Sequence, residues 1–241
     1  MTKGLIFDLD GVIVDTARFH YTAWRELAAE WGYKLSYKEN EQLKGVSRMD
    51  SIRKIAQWAG KDFEQDALVK MATAKNELYL NLCESLSIQD VLPGVLRILH
   101  DSINKGLKLA VGSASKNATL VLKKLGIIDL FEVVVDGNMV THSKPHPEVF
   151  IKAAQSMGLQ PSECIVFEDA QAGIEAARAG NMFAVGVSLD MLNGCDYQIN
   201  NFIRLKEHTT QDCFIFVGAM RLNNSQIDKT IQYKKWLKIV K

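Results

Sequence analysis

The sequence predicts an α/β fold with a doubly wound, mostly parallel sheet and an inserted α-helical domain. Short β-branched runs alternate with helical patterns along most of the chain, which indicates βαβ units with right-handed crossovers. A long helical stretch interrupts this alternation after the first run. Acidic residues directly follow two of the runs, at the carboxyl ends of strands, where open parallel sheets bind their ligands.

The apolar runs define the predicted strands, and the segments between them carry helical periodicity. Strands are expected at 5–7, 107–111, 133–135, 165–167 and 184–187, and helices at 119–125, 148–157 and 171–179. The segment YQINNFIRL, from residue 197, predicts one further short strand and a turn. From about residue 212 the chain continues as an apolar run and then a basic stretch, which this pattern does not place.

The stretch from residue 16 to about residue 87 predicts helices throughout. One set of apolar residues follows the i, i+3, i+4, i+7 spacing from Trp24 to Trp31, and a second runs from Ile52 to Ala59 and ends at Gly60. A third pattern covers 64–86. Several amphipathic helices in sequence form a bundle with its own core. We therefore expect a helical cap domain at 16–90 and a core domain made of 1–15 and 91–241.

Composition limits the classes of function. The 241 residues carry a formal net charge of +1, with 47% hydrophobic and 24% charged residues, so a nucleic-acid or membrane surface is not indicated. The apolar runs are shorter than the roughly 20 residues that a membrane span needs. The four cysteines have no CxxC spacing and are typical of reduced thiols. We expect a cytoplasmic protein.

Polar residues from four separate segments should meet at the carboxyl edge of the sheet. Clustered carboxylates require a cation, and an all-oxygen site suits Mg²⁺. A serine with exposed amides at a helix N-terminus binds anions, and a lysine supplies positive charge for a phosphate. Together these groups predict phosphoryl transfer through a phospho-aspartate. The residues are Asp8, Asp10, Ser113, Lys144, Glu168 and Asp169.

Each of these residues also has a structural explanation when it is taken alone. Asp8 and Asp10 are compatible with a solvated turn, and Ser113 or the Glu168–Asp169 pair with the cap of a following helix. Lys144 and Arg48 could be solvated surface residues, while His20, Trp24 and Trp31 could simply pack in the cap. The ordered set of motifs favours chemistry, because no single one of these explanations accounts for all of them.

Four motifs, FDLDGVIVDT, SAS, SKPHPE and EDAQAGIEAA, resemble those of the haloacid dehalogenase superfamily in their expected order. The resemblance implies a Rossmann-like core, and the inserted domain is similar to the small helical cap of one subgroup. Within that subgroup the chain resembles the β-phosphoglucomutase family. The matching segments are TARFHYTAWRELA, EQLKGVSRMDSI, AKNELY and GSASKNA.

The resemblance implies roles for the core residues. Asp8 would be the nucleophile, and Asp10 would act as general acid and base. Mg²⁺ would be held by Asp8, by the backbone carbonyl of Asp10 and by Asp169, with Glu168 acting directly or through water. The transferred phosphoryl group would be bound by Ser113, by the amide of Ala114 and by Lys144.

In the cap, the resemblance assigns Arg48 to a second, distal phosphate, for which a guanidinium fork is suited. His20 and Lys75 would couple cap closure to the working position of Asp10, which excludes water from the site. The remaining substrate contacts implied are Ser115, Lys116 and Asn117 from the core side, Gly45 and Val46 along the sugar, and Trp24 nearby.

The implied activity is a Mg²⁺-dependent isomerase that moves a phosphoryl group between C1 and C6 of β-glucose phosphate, with β-glucose 1,6-bisphosphate as activator. Two alternatives stay open: a sugar-phosphate phosphatase of the same superfamily, and a receiver-like phospho-aspartate signalling module. The expected partner is a small sugar phosphate, with no nucleic acid and no membrane, and the expected state is a monomer.

Overall fold

The computed structural model describes residues 2–204, so our expectations for the segment from about residue 212 lie outside the described residues. Within them, one sheet contains strands in the order β3-β2-β1-β4-β5-β6, and every neighbouring pair is parallel. The predicted doubly wound parallel sheet is confirmed. The strands are β1 Gly4–Phe7, β2 Lys108–Gly112, β3 Val133–Val135, β4 Cys164–Glu168, β5 Phe183–Val187 and β6 Tyr197–Ile199.

Eight α-helices accompany the sheet in this part of the chain. The stretch predicted to be helical contains loops at 31–36, 42–47 and 59–64. The last agrees with the helix end predicted at Gly60, whereas the first two were missed. Two of these loops begin where Gly32 and Gly60 take positive φ, a conformation that commonly ends a helix. The helices are α1 Ala17–Glu30, α2 Tyr37–Glu41, α3 Arg48–Trp58, α4 Gln65–Cys83, α5 Val95–Asn104, α6 Ala118–Lys124, α7 Glu148–Ser156 and α8 Gln171–Ala179.

The sheet is buried on both faces because helices cover each of them. Successive residues of a strand point to opposite faces, so Leu5 and Phe7 join one apolar cluster while Ile6 joins the other. The first cluster includes residues of α5 and α6, and the second includes residues of α7 and α8. From β1 the strand order runs outward to β2 and β3 on one side and to β4, β5 and β6 on the other, and this switch places the ligand crevice at the carboxyl ends of β1 and β4.

The helices between β1 and α5 have an apolar cluster of their own, to which Trp24, Ile52, Ile55 and Leu68 belong. A smaller set of apolar residues from α1, α4 and the segment that follows joins the cluster of the sheet domain instead: Ala23, Tyr79, Cys83 and Leu86. We call residues 16–90 the cap and keep this division of the chain as a proposal.

The two connections between cap and sheet domain run side by side. Val14 and Val91 form an antiparallel bridge, and the Leu92 amide donates to the Ile13 carbonyl at 2.8 Å. The cap is therefore joined to the sheet domain at one place. Among residues 2–204, no helix has both the length and the apolar character needed to cross a membrane.

Candidate active site

Lys144 lies between two acidic side chains at the carboxyl edge of the sheet. Its Nζ is 2.5 Å from Asp8 Oδ1 and 2.7 Å from Glu168 Oε2, and its side chain is fully buried. Burial lowers the pKa of Lys144, but the Asp8 and Glu168 carboxylates outweigh burial and raise this pKa above its ordinary value. The explanation of Lys144 as a surface lysine is therefore wrong.

Three carboxylates surround a position suited to a cation. Oxygens of Asp8, Glu168 and Asp169 all lie within 4.8 Å of one another. Burial, together with the charge of Asp8, raises the pKa of Glu168 to about 8 and that of Asp169 to about 6. The nearby lysines lower both pKa values but do not offset burial together with the repulsion between the carboxylates. A hard, all-oxygen donor set with excess negative charge fits Mg²⁺, which these three residues would hold.

The carboxylates leave no room for larger neighbours. A Cβ added to Gly173, in the first turn of α8, would lie only 2.0 Å from Glu168 Cδ. The glycine of the EDAQAG motif is therefore required by the Glu168 side chain, which lies against this helix.

Neither Ser113 nor the Glu168–Asp169 pair occupies the N-cap position of the helix that follows it. The N-cap residue of α6 is Asn117, while Ser113 is buried and its Oγ accepts from the Ser115 amide at 3.1 Å. The N-cap residue of α8 is Ala170, which makes no side-chain cap, although its amide donates to Glu168 Oε1 at 3.1 Å.

Asp10 is held between the end of β1 and the first cap helix. Its Oδ1 accepts a hydrogen bond from the Thr16 hydroxyl, and its Oδ2 lies 3.9 Å from His20 Nε2. Burial, and then the charges of Asp8 and Asp169, raise the pKa of Asp10 to about 7. A carboxyl group that titrates near neutrality is suited to give and take protons.

A buried lysine orients His20. Lys75 Nζ lies 2.7 Å from His20 Nδ1. When Lys75 is protonated, its ammonium can only donate, so Nδ1 accepts and Nε2 carries the proton toward Asp10. Burial, with Lys75 second, lowers the pKa of His20, which keeps the ring neutral. Lys75 also lies 4.4 Å from the Trp24 ring centroid. Trp24 thus packs in the cap and contacts a polar residue of the site.

Replacing Lys75 with methionine should stabilise the protein most at low pH. Burial lowers the pKa of Lys75 from 10.5 to about 7, so below pH 7 the charge is buried at full cost. Between pH 7 and 10.5 the unfolded chain binds the extra proton, and this cost falls as pH rises. One pKa unit corresponds to about 1.4 kcal/mol, so urea unfolding at pH 6 should show a gain of a few kcal/mol that shrinks by pH 9.5.

Lys70→Met is the matched control, because Lys70 is an exposed lysine on the same helix. It should leave the free energy of unfolding nearly unchanged at both pH values. A gain for Lys75→Met that is equal at pH 6 and pH 9.5 would contradict the assignment.

One cavity between cap and sheet domain collects most of the predicted site. Ser113, Lys144 and Glu168 lie outside its lining, and Asn117 also does not line it. Several lining residues were not predicted: Ala17, Asn40, Leu43, Lys44 and Ser51. The predicted residues that line it are Asp8, Asp10, His20, Trp24, Gly45, Val46, Arg48, Lys75, Ala114, Ser115, Lys116 and Asp169.

Arg48 is tied to its surroundings through an asparagine that the sequence analysis missed. Arg48 Nη2 donates to Asn76 Oδ1 at 2.6 Å, and Asn117 Nδ2 donates to the same oxygen at 2.8 Å. Asn76 follows Lys75 in the AKNELY segment, so its position next to a predicted residue was the available signal. The bridge connects α3 and α4 of the cap with the start of α6.

Lys44 is another residue that the sequence analysis missed, and it places a positive charge of the cap beside the acidic cluster. Its Nζ lies 3.1 Å from Asp169 Oδ2 and 3.0 Å from Glu41 Oε2. Burial lowers its pKa, but Asp169 and Glu41 raise it above the ordinary value. Lys44 directly precedes the predicted Gly45 and Val46, and a basic side chain there was the signal that could have found it.

An acidic sheet edge with a donor set that suits a cation, beneath a helical cap, is typical of the cap-bearing α/β enzymes. The profile of the haloacid dehalogenase-like hydrolases matches residues 5–187. The chain belongs to this family, as its motifs indicate, and family members use Mg²⁺.

Named relatives include both a mutase and a phosphatase. The chain is 39% identical over 187 residues to a β-phosphoglucomutase of Bacillus subtilis, an alignment that covers 77% of this chain and 83% of the relative. It is 37% identical over 187 residues to the fructose-1-phosphate phosphatase YqaB of Escherichia coli, covering 77% and 96%. The crystal structure of a β-phosphoglucomutase from Clostridium difficile superposes with a TM-score of 0.84 at 41% identity, covering 88% and 96%.

Proposed function

We propose that this enzyme is a β-phosphoglucomutase that interconverts β-D-glucose 1-phosphate and glucose 6-phosphate. The observation that supports this best is a cavity with Asp8 on the sheet side and Arg48 on the cap side. A mutase must bind two phosphates at once, one at the nucleophile and one across the sugar, and Arg48 supplies the distal cation. A phosphatase needs no such second anchor.

In the first half of the proposed cycle, phosphorylated Asp8 donates its phosphoryl group to the C6 hydroxyl of β-glucose 1-phosphate. The bond from phosphorus to the Asp8 oxygen breaks, the bond to the C6 oxygen forms, and Asp10 takes the hydroxyl proton. Lys144 stays beside the regenerated Asp8 carboxylate, 2.5 Å from Oδ1. Bound Mg²⁺ would reduce the repulsion between the Asp8 carboxylate and the phosphate dianion.

In the second half, the 1,6-bisphosphate turns around, so that Arg48 binds the phosphate on C6. Asp8 attacks the phosphorus on C1, and Asp10 returns its proton to the leaving C1 oxygen, which yields glucose 6-phosphate. The pKa of Asp10, raised to about 7, suits this exchange of one proton in both directions. The bisphosphate is the proposed activator, because it restores the phosphate on Asp8 after hydrolysis. We propose that the protein acts as a monomer on this small sugar phosphate.

A product assay tests the reaction directly. The enzyme is mixed with β-glucose 1-phosphate, Mg²⁺ and a trace of the bisphosphate, and products are followed by ³¹P NMR. Glucose 6-phosphate should form without matching release of inorganic phosphate. Free phosphate released at the rate of substrate loss would instead identify a phosphatase, the class of the Escherichia coli relative. A signalling module would show no steady turnover.

Replacing Arg48 with alanine should separate two activities. We expect kcat/KM for the mutase reaction to fall about 100-fold, since one partner of a charge-assisted contact is removed. Slow hydrolysis of p-nitrophenyl phosphate should be nearly unchanged, because that small substrate carries no distal phosphate. The matched control is Arg53→Ala, an exposed arginine of the same helix that pairs with Asp50 at 3.2 Å. Equal loss of both activities in Arg48→Ala would rule out the distal role.

A further inference from the structure

Two histidines flank Lys144 on the loop that leads into α7. The rings of His142 and His146 approach with centroids 4.5 Å apart, and both residues are exposed. Glu148, the first residue of α7, lies beside them, with its Oε2 3.1 Å from His142 Nδ1. One ligand atom from each of these three residues lies within 4.8 Å of the others. None of the three has a role in the proposed reaction.

The Glu148 carboxylate is fixed in place by neighbouring groups. Its Oε2 accepts from the Thr141 hydroxyl and from the His142 amide, both at 2.9 Å. Its Oε1 pairs with Lys152 Nζ at 2.7 Å. The His146 ring is also placed, because its Nδ1 accepts from the Glu148 amide at 3.3 Å. Supporting contacts of this kind orient ligands before an ion binds.

We propose that His142, His146 and Glu148 form a second metal site, selective for Zn²⁺ or a similar transition-metal ion. Two imidazoles and a carboxylate suit such an ion, whereas the all-oxygen set at Asp8 suits Mg²⁺. Tetrahedral zinc with bonds of about 2.0–2.1 Å separates its ligands by about 3.4 Å, so the side chains would need only small adjustments. The 65% exposed His142 side chain can make such an adjustment.

An ion at this site would restrain the loop that carries Lys144. Ligands at 142, 146 and 148 enclose Lys144, whose Nζ contacts Asp8 and Glu168. An ion bound there would hold the backbone on both sides of this lysine, and the fourth position would be occupied by water.

Zn²⁺ titration tests this site by a measurement independent of turnover. Saturating Mg²⁺ is added first to occupy the acidic cluster, and the imidazole nitrogens are then followed by ¹H–¹⁵N NMR. The signals of His142 and His146 should shift together and saturate with one ion per chain, while the signal of exposed His100 on α5 stays unchanged. A shift of only one of the two histidines, or an equal shift of His100, would overturn the proposal.

Variants give a second, quantitative readout by calorimetry in the same Mg²⁺ buffer. His142→Ala and His146→Ala should each weaken Zn²⁺ binding at least about tenfold, because a direct ligand is lost. His100→Ala should bind Zn²⁺ as the unchanged protein does. Wild-type affinity in both loop variants would refute the site, whatever the outcome of the mutase assay.

Discussion

An Asp8→Asn variant should lose turnover almost completely, with kcat/KM lower by about 10⁴-fold or more. An amide is not a nucleophile toward phosphorus, and it brings no negative charge to the cluster with Glu168 and Asp169. The fold should persist, because the loss of one charge also relieves repulsion among these buried carboxylates. Incubation with the bisphosphate followed by intact-mass measurement should detect no phosphorylated protein.

Asp15→Asn is the control for this experiment, since Asp15 is an exposed acid seven residues further along the chain. It should retain turnover and should accept one phosphoryl group. Phosphorylation of the Asp8→Asn protein at a rate close to that of the unchanged enzyme would show that another residue is the nucleophile.

Of the lysine substitutions considered, Lys144→Met should destabilise the protein most. Without added metal, its free energy of unfolding should fall by about 3–5 kcal/mol. The substitution keeps the apolar stem but leaves Asp8 and Glu168 without the ammonium that contacts both. Added Mg²⁺ should recover part of this loss, because it supplies positive charge to the same carboxylates. Urea unfolding with EDTA and with Mg²⁺ measures both effects.

Lys123→Met serves as the comparison, because Lys123 is exposed in the last turn of α6. Its free energy of unfolding should change by less than about 0.5 kcal/mol under both conditions. If Lys144→Met were as stable as the unchanged protein in EDTA, the buried ion pairs would not be needed to compensate the carboxylates.

The sheet domain and its acidic edge were predictable because their signals are local. Apolar runs identify β1 and β4, and the acids that follow them, Asp8 and Glu168, must then meet, since parallel neighbours end at the same edge. For the remaining core residues, roles were implied by the resemblance of the motifs to those of the family. Helix α5 was missed, because no element was assigned to the segment between the cap and the strand predicted at 107–111.

The contacts between cap and core were less predictable. Lys44 and Asp169 are 125 positions apart, and no periodic pattern indicates that they approach to 3.1 Å. Asn76 meets Arg48 and Asn117 only after three helices have been positioned. Such contacts depend on how two apolar clusters are placed relative to each other, which residue spacing within one element does not determine.

The cap is attached in two chemically different ways. Near its connections, Tyr79, Cys83 and other apolar residues belong to the cluster of the sheet domain, whereas its far side reaches the core through charged and amide groups such as Lys44 and Asn76. Water can replace those polar partners at small net cost, but exposing the apolar base would be much more costly. The proposed sugar substrate should therefore enter and leave by rotation of the cap about its apolar base, with the polar contacts separating first.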